Sequence, residues 1–462
     1  MTDGCREWAV GRPDRAKPVG RRQEGGPADG REVGGRQADD RNRPVRQTLL
    51  PYGRQWLDDA DKAAVLRVLD GDWITQGPAI AEFERRVAEY VGAKYAVAFC
   101  NGTAALHGAC FAAGIGPGDE VITSPITFLA SSNCVLYMGG RPVFADIRPD
   151  TYNLDPDRAE AEVTPRTKAI IPVDFTGQPA EMDRFRAIAD RHGLVLIEDA
   201  AHSLGASWDG RKVGTLADMT MFSFHPVKHI TTGEGGMIVT DDETYYRRLL
   251  RFRNHGMTRD RAELLADDGP WYYEMLDLGY NYRMTDIQAA LGVSQMEKLD
   301  RFVARRREIA AAYNEAFAGL PHLTLPAQHP KAASSWHLYV LRWDPAEGVT
   351  RRAVFEALRA ENIGVNVHYI PVYRQPYYRS LGYRADGCPE AERYYESAIS
   401  LPIFPRMTDD DVRDVIAAVR KVYRRVCWGG WRPKQSDKNG SYKKQTRATN
   451  NTVGSKWGGG II

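Results

Sequence analysis

Short apolar runs alternate along the chain with stretches whose apolar residues recur at helical spacing. The runs are YAVAF, EVIT, PVFAD, KAIIPV, LVLIED, MTMFSF and GMIVT. Those with β-branched residues at consecutive positions are typical of strands that are covered on both faces. Strand and helix in alternation predict an α/β fold with a mostly parallel central sheet and crossover helices. Ligands of such folds collect at the carboxyl ends of the strands.

Helix start signals occur before and after this alternating region. Asp58 or Asp59 can cap a first helix. Pro78 stands at the start of a second helix, where its missing N–H is not needed. Further along, Thr285 and Gln288 have the spacing of a capping box, which predicts that a long helix follows.

Composition divides the chain into four segments. Residues 1–47 are rich in Gly, Arg, Asp and Pro, and they bury too little apolar surface to offset the entropy of ordering, which predicts disorder. Residues 48–310 are predicted to form a large domain. Residues 311–427 are predicted to form a smaller α+β domain. Residues 428–462 are polar, basic and Gly-rich, and they predict a second disordered tail.

Charge and cysteine content exclude several classes of function and location. The 462 residues include 62 basic and 60 acidic side chains, and the net charge of +2 argues against nucleic-acid or anionic-membrane binding as the main role. No apolar run is long enough to predict a spanning helix, and the first residues lack the apolar stretch of a secretory signal. The six cysteines are scattered without metal-ligand spacing, so we expect no metal site and a cytoplasmic location.

Two titratable residues that follow predicted strands carry the candidate chemistry. Asp199 ends the run LVLIED, although a carboxylate at a strand end also commonly caps the next helix. Lys228 lies between buried strands, before a Gly-rich turn. Most lysines are surface residues, but a lysine held there with a lowered pKa can form an imine. An imine-forming lysine and a carboxylate for the pyridinium nitrogen are the two groups that pyridoxal phosphate requires, so the pair predicts this cofactor.

A candidate phosphate site directly follows the run YAVAF. Gly102 and Thr103 open an Ala-rich helix in the segment CNGTAALHGA, where free backbone N–H groups and the helix dipole favour a phosphate. A tight turn before a helix would explain the same residues without a ligand. The glycines of GIGPGDE precede a strand instead of following one. They therefore predict a turn and not a dinucleotide site.

Five motifs link these positions: NGTAAL, IEDAAHSLGA, FSFHPVKHITTGEGG, FRNHG and LGYNYRMTDIQAALG. In them the chain resembles the DegT-type nucleotide-sugar aminotransferases, a family of fold-type-I transferases that depend on pyridoxal phosphate. The similarity runs from about Leu49 to about Tyr423. It implies the fold-type-I architecture, transamination of a nucleotide sugar and a homodimer.

The resemblance implies a role for each matching position. Lys228 matches the lysine that forms the Schiff base with the cofactor, and it also moves the proton during transamination. Asp199 matches the partner of the pyridinium nitrogen. Gly102 and Thr103 match the phosphate-binding loop, and Ser223 matches the hydroxyl that holds the phosphate from the following strand end.

Further positions complete the implied site. Phe128 matches the aromatic residue that stacks on the cofactor ring. His202 matches a Gln or His near the ring hydroxyl, which makes it a third catalytic residue beside the lysine and the aspartate. Asn281 matches a phosphate ligand that the neighbouring subunit supplies. His368 and Tyr369 are expected to contact the substrate.

Within the family the resemblance points to the aminotransferases of pseudaminic acid synthesis, through VITSPITFLASSN, VDFTGQPAEMD and VHYIPVYRQPYY. Many relatives carry His where this chain has Asp174, and that departure favours the same branch. The implied reaction moves the amino group of L-glutamate to C4 of a UDP-linked 4-keto-6-deoxy-N-acetylhexosamine. The product would be UDP-4-amino-4,6-dideoxy-N-acetyl-β-L-altrosamine. Another nucleotide-linked keto sugar, of the perosamine or 4-amino-arabinose type, is an alternative substrate.

An alternative of another class is a non-catalytic regulator with the same fold that binds DNA through its basic tail. The residues from Gly430 onward include seven basic side chains and one acidic side chain. A regulator would need a DNA-reading module, and neither tail has a helix-turn-helix pattern. A dehydratase branch of the fold replaces the lysine with His, so Lys228 argues against that branch as well.

Overall fold

The apolar runs become strands in the computed structural model, which describes residues 43–344 and 349–427. In chain order the strands are β1 (Tyr95–Phe99), β2 (Glu120–Thr123), β3 (Arg141–Phe144), β4 (Thr167–Ile171), β5 (Val195–Asp199), β6 (Ser207–Trp208), β7 (Arg211–Lys212), β8 (Met219–Ser223), β9 (Gly236–Thr240), β10 (Met257–Thr258), β11 (Glu274–Met275), β12 (Leu323–Thr324), β13 (Ala332–Ala333), β14 (Tyr339–Trp343) and β15 (Ala398–Leu401). The runs predicted from the sequence correspond to β1 to β5, β8 and β9. These strands form one seven-stranded sheet, as predicted.

The order across this sheet is β1-β9-β8-β5-β4-β2-β3. Neighbours from β8 to β3 run parallel, and β9 is antiparallel to both β8 and β1. The predicted α/β fold with a mostly parallel sheet is therefore confirmed. The carboxyl ends of β1, β2, β5 and β8 lie at the same edge of the sheet, which is the edge where ligands bind in this architecture.

Helices cover both faces of the sheet. In chain order they are α1 (Asp59–Leu69), α2 (Pro78–Val91), α3 (Gly102–Ala112), α4 (Ala130–Tyr137), α5 (Pro156–Ala161), α6 (Met182–His192), α7 (Glu243–Phe252), α8 (Asp286–Met296), α9 (Leu299–Phe317), α10 (Arg351–Ala360), α11 (Pro376–Ser380), α12 (Pro389–Ser397) and α13 (Asp409–Cys427). Ala96 and Ala98 of β1 pack into one core with α2, α6 and α8, while Val97 and Phe99 pack into another with α3, α4 and α7. This alternation is what a strand covered on both faces requires.

Local signals determine where several helices begin, as the sequence predicted. Asp58 caps α1 through a capping box with Asp61. Pro78 is the first residue of α2. Thr285 and Gln288 form the capping box of α8. Each cap satisfies backbone N–H groups that have no partner within the helix, so these starts are encoded locally.

A second core forms around the antiparallel sheet of β12, β14 and β15, with α9, α10 and α13 packed against it. Residues near the start of the described chain pack against this second core. Arg46 forms ion pairs with Asp411 at 2.8 Å and with Asp414 at 2.6 Å. Leu50 is buried in the same core and forms an isolated bridge with Ile363.

The predicted domain limits stay predictions. The boundary between 48–310 and 311–427 falls within α9. The predicted disordered segments lie outside the described residues, apart from residues 43–47. Across the part of the chain that the structure describes, no helix has the length and apolarity needed to cross a membrane.

Arg306 of α9 connects the second core to the loop after β8. It is buried, and its Nη1 donates hydrogen bonds to the carbonyls of Trp336 at 3.3 Å, His337 at 3.0 Å and Ile403 at 2.8 Å. Its Nη2 donates to the carbonyl of Val227 at 3.5 Å. Because a buried charge is tolerated only when polar groups surround it, this guanidinium ties the loop to the second core.

Candidate active site

The carboxyl ends of β1, β2, β5 and β8 border a cavity of 770 Å³, and the second core contributes residues 366–370 to its wall. Nine of the ten site residues predicted from the sequence line this cavity; they are Gly102, Thr103, Phe128, Asp199, His202, Ser223, Lys228, His368 and Tyr369. Asn281 is not among the residues that line it. The cavity therefore brings together most of the predicted site within one chain.

Lys228 stands on the loop between β8 and β9. Its backbone N–H donates to the carbonyl of His225 at 2.9 Å, which holds the turn that presents the side chain. Burial lowers the pKa of Lys228 to about 8; the charge of Arg306 acts in the same direction, and the charge of Asp199 opposes it. A lysine with this pKa is partly neutral near physiological pH, and the neutral amine is the nucleophilic form.

Asp199 is the last residue of β5, and its side chain is buried. One carboxylate oxygen accepts a hydrogen bond from Ser131 Oγ at 2.5 Å, and the other accepts from the N–H of Ala201 at 3.2 Å. Burial raises the pKa of Asp199, while these hydrogen bonds and the charge of Lys228 lower it. A cation against this oriented carboxylate would stabilise the anion, so the position fits a protonated pyridinium nitrogen.

The start of α3 forms a corner of the cavity that fits a phosphate. Asn101 caps the helix by accepting from the N–H of Ala104 at 2.8 Å. The first-turn N–H groups of Gly102 and Thr103 have no partner within the helix. A Cβ at Gly102 would lie 3.4 Å from Ser223 Oγ, so glycine keeps that hydroxyl close to the helix start. Backbone donors, a hydroxyl and the positive end of the helix dipole are the groups that bind phosphates.

Aromatic and imidazole rings line another part of the cavity wall. Phe128 is half exposed, and its ring centroid lies 6.2 Å from that of Tyr369. The Tyr369 hydroxyl lies 3.3 Å from His202 Nε2, and His368 Nδ1 lies 2.7 Å from Ser400 Oγ. Burial lowers the pKa of His202 well below its usual range and that of His368 to about 3. Both imidazoles are therefore neutral near physiological pH.

Asn281 is exposed and is not among the residues that line this cavity. The rings of its neighbours Tyr280 and Tyr282 stack at a centroid distance of 4.8 Å and contact His107 of α3. Because successive side chains of an extended segment point to opposite sides, Asn281 faces away from this stack. The preceding residues expose large apolar side chains; they are Leu265, Trp271, Tyr273, Met275, Leu276 and Leu278.

Some residues at the cavity were not identified from the sequence. Ser131, which holds Asp199, follows Phe128 by one helical turn, and that spacing is a signal that could have found it. Asn366 and His337 reach the cavity from the second core. No local pattern relates these two residues to the strand ends, because only tertiary packing brings them there.

The sheet, the cavity at its carboxyl edge and the lysine on the loop after β8 together define a pyridoxal-phosphate-dependent aminotransferase. The chain belongs to the DegT/DnrJ/EryC1/StrS aminotransferase family, whose model matches residues 55–420. The family resemblance predicted from the motifs is confirmed, and with it the enzyme class.

Relatives agree with this assignment. The spore coat polysaccharide biosynthesis protein SpsC of Bacillus subtilis is 45% identical over 382 residues, which cover 82% of this chain and 98% of the relative. Helicobacter pylori PseC, an aminotransferase involved in the biosynthesis of pseudoaminic acid, is 33% identical with a TM-score of 0.76, over 82% of this chain and 100% of that one. A putative sugar aminotransferase of Streptococcus pneumoniae, Spr1654, in its PMP form is 31% identical with a TM-score of 0.77, over the same shares of the two chains. This chain is accordingly a sugar aminotransferase with pyridoxal phosphate as its cofactor.

Proposed function

We propose that this enzyme transfers the amino group of L-glutamate to C4 of a UDP-linked 4-keto-6-deoxy-N-acetylhexosamine, giving UDP-4-amino-4,6-dideoxy-N-acetyl-β-L-altrosamine. The observation that carries the proposal is the cavity that joins Lys228 and Asp199 at the sheet edge. The likeness to PseC, named for pseudoaminic acid biosynthesis, supports this choice of sugar.

In this proposal the cavity residues divide the binding of the cofactor among them. When bound, pyridoxal phosphate carries the amino group between the two substrates and accepts the electrons left when the donor loses its Cα proton. Lys228 Nζ binds it covalently, and Asp199 pairs with its ring nitrogen. Gly102, Thr103 and Ser223 bind the phosphate at the start of α3.

Lys228 has a second role as the group that moves protons. Its Nζ takes up the proton that leaves Cα of glutamate and later delivers a proton to C4 of the sugar. A pKa of about 8 suits both directions, because a general base and acid works best when its pKa lies near the operating pH. Lys228 therefore acts in each half of the proposed reaction.

The remaining cavity residues orient the reactants. Phe128 packs against the face of the cofactor ring and excludes water from it. His202, neutral and 3.3 Å from the Tyr369 hydroxyl, binds near the ring hydroxyl. His368 and Tyr369 contact the sugar from the second core. These roles are the ones that the family resemblance implies, and the position of each side chain in the cavity wall supports them.

A homodimer completes the proposed site. Asn281 is not among the residues that line the cavity of its own chain, and the segment before it exposes a row of large apolar side chains. Such a row marks an association surface. In a two-fold dimer the same surface on both subunits would carry each Asn281 to the phosphate corner of its partner. A cytoplasmic location stays a prediction.

The decisive experiment starts from enzyme loaded with pyridoxamine phosphate. Candidate keto sugars are added one at a time without glutamate, and the return of the cofactor to its aldehyde form is followed by absorbance. The UDP-linked L-arabino 4-keto sugar should drive this return. If this sugar fails while another keto sugar succeeds, the assignment to the pseudaminic acid branch of the family is wrong. If no keto sugar drives it, the sugar assignment is wrong.

One alternative has an observation in its favour. DesI, whose crystal structure was analysed in the presence of its TDP-sugar product, is 35% identical to this chain with a TM-score of 0.74. The panel of keto sugars should therefore include TDP-linked compounds beside the perosamine and 4-amino-arabinose precursors. The regulator hypothesis is set aside, because the chain belongs to an aminotransferase family.

A further inference from the structure

Two fully buried carboxyl groups lie directly behind Asp199, and the proposed reaction does not use them. Glu198 precedes Asp199 in β5, and Asp174 lies on the segment that follows β4. Both residues are 0% exposed. In residues 43–344 and 349–427, neither carboxyl group is within salt-bridge distance of a Lys or Arg side chain. Their charge must therefore be accommodated without a cationic partner.

The hydrogen bonds of this pair leave one oxygen without a donor. The Asp174 carboxyl accepts from Ser203 Oγ at 2.6 Å and from the N–H of Ala180 at 2.9 Å. Glu198 Oε2 accepts from Thr220 Oγ1 at 2.9 Å, whereas the buried Glu198 Oε1 has no partner. Because Val173 pairs with Asp199 in parallel, the side chains of Asp174 and Glu198 lie on the same face of neighbouring strands and can meet there. A proton shared by the two carboxyl groups would give Glu198 Oε1 its missing donor. Burying that oxygen without a donor costs free energy, so the protonated pair is favoured.

Electrostatics requires the same proton. Two carboxylates in contact inside a protein cannot both be ionised near neutral pH, because each charge destabilises the other. Burial is the largest cause that raises the pKa of Asp174 to about 7, and burial together with the charge of Asp174 raises that of Glu198. The other titratable groups nearby are Asp199, which adds negative charge, and His202, which burial keeps neutral.

We propose that Asp174 and Glu198 share one proton, and that this carboxyl–carboxylate pair positions Asp199 and limits the negative charge behind it. The backbone carries the connection, since the N–H of Asp174 donates to the carbonyl of Asp199 at 3.1 Å. The shared proton is inferred from the burial, the strand register and the hydrogen bonds of the pair. Its effect on Asp199 rests on the role proposed for Asp199 above.

Infrared spectroscopy of the full-length holoenzyme tests the shared proton. Ordinary carboxyl groups are ionised at about pH 6, below the pKa of about 7 for Asp174, so at that pH the C=O stretching band of a protonated acid reports a buried one. Wild type should show such a band that shifts in D₂O, and Asp174→Asn and Glu198→Gln should each lose it. The matched control is Asp146→Asn, because Asp146 is buried among N–H donors of Ile147, Glu390 and Ala391. A band that persists in both test variants would overturn the proposal.

The pH dependence of unfolding provides a second test. With its pKa raised in the folded state, the pair keeps a proton that the unfolded chain releases. Stability therefore falls as pH rises from the ordinary carboxyl range to about 7. Asp174→Asn should remove this fall. The ratio of the wild-type to the variant unfolding constant should rise by up to about tenfold per pH unit in that window. A constant ratio for both Asp174→Asn and Glu198→Gln would contradict the shared proton.

The effect on Asp199 has its own readout. In Asp174→Asn the remaining Glu198 keeps one negative charge, so at neutral pH the bound cofactor should have the wild-type absorbance. As pH rises through about 7 the wild type loses the shared proton and its spectrum should shift, whereas the variant spectrum should not. If the infrared band is lost but both spectra titrate alike, the pair does not act on Asp199. Failure of Lys228 to bind the cofactor would instead reject the proposed function and leave the infrared result unaffected.

Discussion

The cavity around Lys228 differs from the segment around Asn281 in the partners that each finds within one chain. Asp199 accepts hydrogen bonds from Ser131 and Ala201, and Lys228 is enclosed by groups that lower its pKa. The segment that leads to Asn281 exposes Trp271 and other apolar side chains to solvent. The first region is enclosed by contacts within one chain, and the second is open to solvent.

This difference indicates how the site is divided between the proposed subunits. The groups that perform the chemistry come from strand ends of one sheet and are positioned by its own loops. Asn281, which we propose completes the phosphate site of the partner subunit, lies between Tyr280 and Tyr282, whose rings stack. Changes in the cavity should therefore abolish chemistry and leave assembly intact. Changes in the exposed segment should act through the partner subunit.

Replacing Lys228 has the largest expected effect. Lys228→Ala should lose covalent attachment of the cofactor and reduce turnover by about 10⁴-fold, since the variant lacks both the nucleophile and the proton carrier. Borohydride reduction followed by peptide mapping should place the cofactor on Lys228 in wild type and nowhere in the variant. An adduct on another lysine would remove Lys228 from the site.

Replacing Asp199 should lower turnover while cofactor still binds. Asp199→Asn keeps the shape of the side chain but removes the charge that pairs with the ring nitrogen. Loss of a buried charge pair costs about 3–5 kcal/mol, which corresponds to about 10²- to 5 × 10³-fold in kcat. Steady-state kinetics and cofactor absorbance measure the two effects separately. Near-normal kcat would show that Asp199 is only a structural carboxylate.

Replacing Asn281 should have the smallest effect of the three and is the one that tests the partner subunit. Asn281→Ala removes a hydrogen bond to a charged phosphate, so cofactor affinity should fall by about 10–100-fold. Mixing Lys228→Ala chains with Asn281→Ala chains at low cofactor concentration should restore activity, because one site of each hybrid dimer has both residues. A fully active monomer in sedimentation, or no gain on mixing, would contradict the shared site.

The sequence predicted the parts of the fold that depend on local signals. The strands of the large sheet and the capping residues Asp58 and Thr285 are confirmed, because apolar periodicity and caps act over a few residues. The positions of Lys228 and Asp199 at strand ends followed from the same pattern. Their proximity depended on the strand order, in which β5 lies beside β8.

Contacts between distant segments could not be predicted in this way. Ser131 and Asp199 are 68 positions apart, and only the fold brings them together. The sequence marked Asp174 as a departure from relatives, but its contact with Glu198 arises because β4 and β5 are neighbours. The assignment of Asn281 to the phosphate site of the partner subunit came from family resemblance alone and stays a prediction. No local sequence pattern indicates which residue of this segment is exposed.

Arg306 also has a consequence for engineering new specificity. It binds backbone carbonyls of Trp336, His337, Ile403 and Val227, so the side chains at these positions can change without removing its hydrogen bonds. Cavity-lining side chains on residues 366–370, where we propose substrate contacts, can then be exchanged while the loop that carries Lys228 keeps its anchor. Libraries for altered sugar preference should accordingly randomise residues 366–370 and keep Arg306 unchanged.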